Sequence, residues 1–373
     1  MRILSVVGTR PQLIKAAALS PALRESHEEI LVDTGQHYDD ALAGDHLSGL
    51  GLAPPEHRLG IGSAPAPEQT ARMLMAVADV VSAEHPDAVL VYGDTNSTLA
   101  GALAAAKLDL PVAHVEAGLR SHDRSMPEEM NRVLADHLSR WLFAPTPTAV
   151  ENLRAEGIRA GVHLVGDVMQ DLASRILGDV RDAVVLGEVG RSLEVASGPR
   201  PNLQPGAFLY ATVHRAENRQ LTALRAWVDI LSAVADERRP VILALHPGTR
   251  AALDAAGISL PPDVVVVGPV GYRAGLALQL HSAAVITDSG GIQREAAWLR
   301  VPCLVLRSNT EWVEAVAGSD GRMVVVGRDR ELAIRELARL APIDDGGAAA
   351  RTRASQAAIE PAGAAAAIAA ALG

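Results

Sequence analysis

Residues 88–116 read AVLVYGDTNSTLAGALAAAKLDLPVAHVE, and the fold class follows from this stretch. Ala88–Tyr92 is apolar throughout and stops at Gly93-Asp94, a turn pair. Ser97–Leu108 is rich in Ala and Leu and free of Pro, the composition of a helix. Val112–Val115 is a second β-branched run, apolar apart from His114. Strand runs without polar alternation belong to a parallel sheet covered on both faces.

The same alternation extends both ways along the chain. Ile3–Val7, Ile30–Val32 and Trp141–Ala144 complete the strand candidates of the first half, with helix-like Gln12–Arg24 and Glu68–Glu84 between them. Phe208–Val213, Val241–Leu245, Val264–Val267, Ala284–Thr287 and Cys303–Leu306 repeat the scheme in the second. Helix-like Val168–Leu177 is followed by residues 178–206, rich in Gly, Pro and polar groups, which read as the junction. The expectation is α/β: two Rossmann-like domains, 1–167 and 168–352, facing a cleft, with a C-terminal segment 353–373. One large sheet is the competing arrangement. Ligands of doubly wound sheets bind at the carboxyl ends of the strands.

Composition narrows the ligand. The chain has 373 residues, 49% hydrophobic and only 3% aromatic, so its core is aliphatic. A net charge of −10 argues against a nucleic-acid partner, which needs a broad basic surface. Of 34 basic residues only Lys15 and Lys107 are lysines, so each marks a place where a compact point charge replaces the default Arg. The lone Cys303 excludes an internal disulfide and any multi-cysteine metal site. No run reaches the ~20 apolar residues of a membrane span, and Ile3–Val7 is too short for a signal peptide. These features predict a soluble, cytoplasmic protein with no membrane partner.

Polar residues collect where strands end. Ile3–Val7 runs into Gly8-Thr9-Arg10-Pro11, with Lys15 one turn on: a helix start whose free N–H groups and flanking cations suit an anion. Asp94 follows Ala88–Tyr92 and Glu116 follows Val112–Val115. Asp94 is also a reasonable helix cap, and one of Glu128 and Glu129 need only complement a helix dipole. Three carboxylates are nevertheless more than capping requires. In the second half His214 and His246 end successive strands. Thr287-Asp288-Ser289-Gly290-Gly291 then forms a small-residue turn into a helix carrying Glu295, and Arg307 ends the next strand. Small residues let phosphate oxygens approach the helix N–H groups, Glu295 suits a ribose, and Arg307 suits a diphosphate. Such an inventory fits a glycosyltransferase or an enzyme moving protons on a nucleotide sugar, and residue chemistry alone leaves both open.

The motifs resemble those of the non-hydrolysing UDP-N-acetylglucosamine 2-epimerase family, collinearly from Met1 to about residue 330. They are Gly8-Thr9-Arg10-Pro11 with Lys15, Thr34-Gly35-Gln36-His37, Gly93-Asp94-Thr95, His114-Val115-Glu116-Ala117-Gly118-Leu119-Arg120, Pro127-Glu128-Glu129 with Asn131-Arg132, His214-Arg215 with Glu217-Asn218, His246-Pro247, and Asp288-Ser289-Gly290-Gly291 with Gln293 and Glu295. The resemblance implies the two-domain fold of B-type glycosyltransferases, with Ala362–Leu372 crossing back to the first domain. It also implies a homodimer, no added cofactor, no metal, and inversion at C2 of a UDP-linked 2-acetamido sugar through elimination of UDP to a 2-acetamidoglucal and its re-addition. Asp94, Glu116, Glu128 and His214 would then be catalytic. Arg10, Lys15, His246, Ser289, Gly290, Gly291, Glu295 and Arg307 would hold UDP. Gln12, where the best-known members carry Glu, and Glu311-Trp312-Val313-Glu314, in place of Glu-Arg-Pro-Glu, are similar to a branch acting on sugars such as UDP-2,3-diacetamido-2,3-dideoxy-glucuronate. Asp39 stands where enzymes activated by UDP-N-acetylglucosamine have Gln, and Glu360-Pro361-Ala362-Gly363 replaces a Gly-Asp-Gly. A hydrolysing relative and a non-catalytic sugar-nucleotide sensor are the alternatives.

Overall fold

The computed structural model of the protein describes residues 1–36, 50–124, 126–342 and 347–373, so His37, Tyr38 and Asp39 lie outside the described residues. The chain forms two compact units, Met1–Leu172 with Glu360–Gly373, and Ala173–Ile359.

The first unit is built on a parallel sheet of β1 (Arg2–Val7), β2 (Glu28–Asp33), β3 (His57–Arg58), β4 (Ala88–Tyr92), β5 (Val112–Val115), β6 (Trp141–Ala144) and β7 (Val162–Leu164). Its order is β3-β2-β1-β4-β5-β6-β7, the doubly wound pattern in which the strand order reverses between β1 and β4. Leu4 and Val6 of β1, Val89 and Val91 of β4, and Val77 and Val81 of the helix Ala66–Glu84 form one aliphatic core. The helix Asn96–Lys107 lies so close to the sheet that a Cβ on Gly101 would sit 3.0 Å from Val91 and 3.2 Å from Val6. The C-terminal helix Ala364–Ala371 belongs to this unit. Asp171 accepts the Gly363 and Ala365 N–H groups at its start (2.8 and 2.9 Å), where a carboxylate complements the helix dipole, and His27 Nε2 bonds to Ala369 O (2.9 Å) near its end.

The second unit repeats the scheme with β8 (Val195–Ser197), β9 (Leu209–Val213), β10 (Val241–Leu245), β11 (Val264–Val267), β12 (Ala284–Thr287), β13 (Cys303–Val305) and β14 (Met323–Val325). The order is β14-β13-β12-β9-β10-β11-β8, parallel except for β8, and the reversal falls between β9 and β12. Trp227 is fully buried in the core, its Nε1 donating to Asn218 O (3.0 Å).

All ten strands expected from the apolar runs are present, with ends shifted by no more than two residues. A strand is also expected to end at Val165-Gly166, and β7 ends at Leu164, while the short β3, β8 and β14 carry too few residues to show a period. Residues 178–206 need correction: rather than a bare junction they contain the helix Val185–Ser192, which buries Val185, Leu186 and Val189, and the edge strand β8. The helix Ala348–Gln356 stays with the second unit, Arg353 donating to Leu280 O (3.2 Å), so the return to the first unit begins at Glu360 rather than at residue 353. Among the described residues no helix is long and apolar enough to cross a membrane, and no group of three metal-ligating side chains occurs.

Candidate functional site

In the first unit the polar strand ends surround the reversal between β1 and β4. A Cβ on Gly8 would fall 2.0 Å from Thr34 Oγ1 and 2.2 Å from Ser97 Oγ, so only glycine fits there. Gln12 closes the turn: Oε1 accepts Gly8 N–H (2.9 Å), while Nε2 donates to Tyr92 O (2.8 Å) and Thr98 Oγ1 (3.0 Å). An ionised glutamate would set its charge against the Tyr92 carbonyl, which gives the amide at this position a local reason. Arg10 is half-buried at the first residue of the helix Arg10–Ser26.

Lys15 is buried and its Nζ donates to Glu116 Oε1 (2.8 Å). The rare lysine therefore serves first as the counter-ion of a carboxylate. Glu116 itself sits at φ +73°, a region L-residues adopt at a cost of about 1–3 kcal/mol and retain mainly at functional positions. Asp94 pairs with Arg132, and Asn131 Nδ2 donates to Asp94 O (3.0 Å). The structure separates the two glutamates of the next helix, Pro127–Leu138. Glu129 is buried and accepts from Ser121 N (2.9 Å), His122 N (3.0 Å) and Arg132 Nη1 (2.9 Å), so it fastens a loop. Glu128 is half-buried, and its carboxylate makes no hydrogen bond or ion pair among the described residues.

Behind these groups lies a fully buried pair. His114 Nδ1 bonds to Asp136 Oδ1 and Nε2 to Gly93 O, both at 2.7 Å. Asp136 Oδ2 also accepts from Arg120 Nη1 (2.7 Å) and Gly118 N (3.1 Å). Burial would raise the Asp136 carboxyl, but His114 and Arg120 outweigh it and hold the group below the usual range.

In the second unit the reversal between β9 and β12 is organised by Asp288, a residue whose side chain is completely buried. It accepts from His214 N (3.0 and 3.1 Å), Arg215 N (2.9 Å) and Asn218 Nδ2 (2.9 Å), and its Oδ1 lies 3.2 Å from His214 Nδ1. Burial would push this carboxyl up. The attraction and hydrogen bond of His214, with the Asn218 and backbone donors, bring it down to about 2. His214 keeps a partly exposed ring, fixed through Nδ1, so Nε2 is the nitrogen left to act on a ligand.

Ser289 caps the helix Gly290–Trp298, Oγ accepting from Ile292 N (3.4 Å). Glu311 binds both Arg307 Nη1 (2.6 Å) and Arg215 Nη2 (2.9 Å); despite burial, these two guanidiniums hold its carboxyl below the usual range. Arg307, read as a diphosphate cation, is thus already clamped, with a side chain only 1% exposed. The Arg294 guanidinium stacks 3.9 Å from the Trp312 ring centre. Glu295 is buried and accepts from Gln279 Nε2 (2.5 Å). His246 caps the helix Pro247–Ala256, Nδ1 accepting from Gly248 N (3.1 Å).

The two glycines differ. A Cβ on Gly290 would meet Trp312 Nε1 at 2.8 Å and Glu311 Oε1 at 3.0 Å, whereas at Gly291 the nearest atom is Ser289 Oγ at 3.8 Å. Gly290 therefore admits the Trp312–Glu311 loop. Thermal denaturation should show Gly290→Ala destabilised by about 1–3 kcal/mol, in the range of overpacking, and Gly291→Ala within about 0.5 kcal/mol of the parent. Equal midpoints for the two variants would contradict this reading. Sequence reasoning assigned no role to Asp288, Arg132, Asp136 or Glu311, because each has a partner distant in the sequence (His214, Asp94, His114 and Arg215 respectively); only the position of Asp288 at a strand end signals it.

Comparisons with known proteins show the family. The sequence model described as UDP-N-acetylglucosamine 2-epimerase matches residues 21–372. A UDP-N-acetylglucosamine 2-epimerase homolog of Methanococcus maripaludis is 41% identical, over 92% of this chain and 94% of its own. The UDP-2,3-diacetamido-2,3-dideoxy-D-glucuronate 2-epimerase of Pseudomonas aeruginosa is 42% identical, over 90% of each. Among solved structures, the Methanocaldococcus jannaschii UDP-GlcNAc 2-epimerase in complex with UDP-GlcNAc and UDP aligns over 100% of this chain and 99% of that one, with a TM-score of 0.84 and 33% identity.

Proposed function

We propose that this chain, which belongs to the UDP-N-acetylglucosamine 2-epimerase family, inverts C2 of a UDP-linked 2-acetamido sugar, converting UDP-N-acetylglucosamine to UDP-N-acetylmannosamine. The C2 hydrogen is not next to a carbonyl, so direct deprotonation is unfavourable. A carboxylate takes the C2 proton while the C1–O bond breaks and UDP leaves with the electron pair, giving a 2-acetamidoglucal. The phosphate oxygen of UDP then adds back to C1, and a proton is delivered to the opposite face of C2. The route requires acid/base groups for both faces, and Asp94, Glu116 and Glu128 supply them. His214, held by Asp288, supports the departing diphosphate. Arg10, Lys15, His246, Ser289, Gly290, Gly291, Glu295 and Arg307 are the proposed UDP-binding set; Lys15 and Arg307 act there through Glu116 and Glu311 as well.

The observation that supports the reading is that titratable side chains stand at both sheet reversals, Asp94 after β4 and the His214–Asp288 pair after β9 and β12. Residue chemistry of this kind, rather than the fold, argues for epimerisation over glycosyl transfer. A second substrate, UDP-2,3-diacetamido-2,3-dideoxy-glucuronate, is favoured by the 42% identity to an enzyme of that name. A homodimer completes the proposal.

The test is incubation with each sugar nucleotide in D2O, followed by NMR at C2. UDP-N-acetylmannosamine carrying deuterium at C2 is the expected product. Free N-acetylmannosamine with UDP would replace the proposal by hydrolysis, and product from the diacetamido uronate alone would move the substrate. Binding of both sugars with turnover of neither would leave a sensor.

A further inference from the structure

We propose that His114, with Asp136, is a positioning residue that fixes the Asp94 turn against the Glu116 turn; the inference rests on the epimerase reading above. The imidazole lies within the sheet, yet both its ring nitrogens reach polar acceptors, Gly93 O and Asp136 Oδ1, each at 2.7 Å. The ring is thus held at both nitrogens, one by a side chain and one by the backbone. Arg120 and the Gly118 N–H occupy the other oxygen of Asp136, and Arg120 also pairs with Glu156 (2.7 Å), whose carboxylate lies 3.5 Å from His137, so His114, Asp136 and Arg120 form a buried group that reaches the surface at Glu156.

What this group grips is specific. Gly93 is the residue before Asp94 and has φ +62°; Gly118 follows Glu116 by two and has φ +82°. Both turns thus depart from the extended path at left-handed residues, and each is tied to the same pair by one backbone bond. Gly93 N also donates to Val115 O (2.9 Å), so the two turns are joined directly as well. Anchoring the Gly93 carbonyl fixes the orientation of the whole Gly93–Asp94 peptide, because its plane is rigid. A core position that needed only volume would be filled by an aliphatic residue like its neighbours Val112 and Val115. A buried ion pair is a poor source of net stability, but its hydrogen-bond directions are well suited to setting geometry.

The experiment is a double-mutant cycle on C2 deuterium exchange using His114→Gln and Asp94→Asn, with UDP affinity measured by calorimetry. His114→Gln is expected to lower kcat about tenfold or more with UDP affinity within about twofold, and to cost almost nothing further once Asp94→Asn is present. Losses that multiply in the double variant would overturn the proposal, as would a loss of UDP affinity equal to the loss in rate. The ring state is read independently in the unaltered protein by ¹⁵N NMR of its histidines. Both ring nitrogens of His114 are expected to be hydrogen-bonded; a ring nitrogen without a hydrogen bond would overturn the arrangement whatever the protein catalyses. Absence of exchange in the unaltered protein would count against the epimerase reading alone, and the ring measurement would still decide this one.

Discussion

Glu116→Gln is expected to lower the rate of C2 proton exchange by about 10²-fold or more, roughly 2.7 kcal/mol of transition-state stabilisation, while UDP affinity stays within a few-fold. Glutamine keeps the size of the side chain and still offers Lys15 an oxygen, but it cannot take a proton from carbon. The stability consequence can be separated from the chemical one. Removing the charge of Glu116 leaves the Lys15 ammonium buried beside a neutral amide, a loss related to the breaking of a buried ion pair. Adding Lys15→Met removes that stranded charge, so the double variant should regain thermal stability relative to Glu116→Gln. Its turnover should remain at least 10²-fold down. Turnover that recovered together with stability would show that Glu116 matters for the fold and not for proton transfer, and near-normal kcat in the single variant would remove it from the mechanism outright.

The contrast between Lys15 and Glu128 shows what the sequence could and could not convey. Apolar runs bounded by turn residues mark a strand wherever four or more residues are buried on both faces, so β1, β4, β5, β9 and β12, and with them both sheet reversals, were legible. The rarity of lysine singled out Lys15, yet its partner lies 101 residues away on another strand end, and no local pattern encodes such a pairing. Glu128 and Glu129 are equivalent to a sequence reader, since both fall in the first turn of the helix Pro127–Leu138. Only the amides of Ser121 and His122, brought back by the preceding loop, make Glu129 the structural one. Arg307 shows the same limit. Its position at a strand end suited a diphosphate, whereas the charge it meets first is Glu311, four residues on, shared with Arg215. Strand ends can be located from sequence; which of their charges face one another is decided by the tertiary fold.

Asp288→Asn is expected to act on stability and turnover together, and the pH dependence separates the causes. The Asp288 carboxyl falls from an ordinary 3.8 to about 2 in the folded chain, so the folded state prefers the ionised form. A lowered carboxyl of this kind contributes stability that is fully present above the unfolded value and lost as pH falls through the folded one. A shift of nearly two units corresponds to about 2–3 kcal/mol, present at pH 6 and above and vanishing between about pH 5 and pH 2. Asparagine removes that charge. It also leaves one acceptor oxygen where two had served His214, Arg215 and Asn218, and turns an NH₂ group toward donors. At neutral pH the variant should melt roughly 5–10 °C below the parent. The gap should narrow steadily as both proteins are taken toward pH 3. A constant gap across that range would mean that shape, and not the ionised carboxylate, is what Asp288 provides. Turnover should fall about 10²-fold even at temperatures where the variant is fully folded, because His214 loses the bond that directs its Nε2 outward. A folded variant with full turnover would detach His214 orientation from the chemistry and leave Asp288 a purely structural anchor of the β9–β12 reversal.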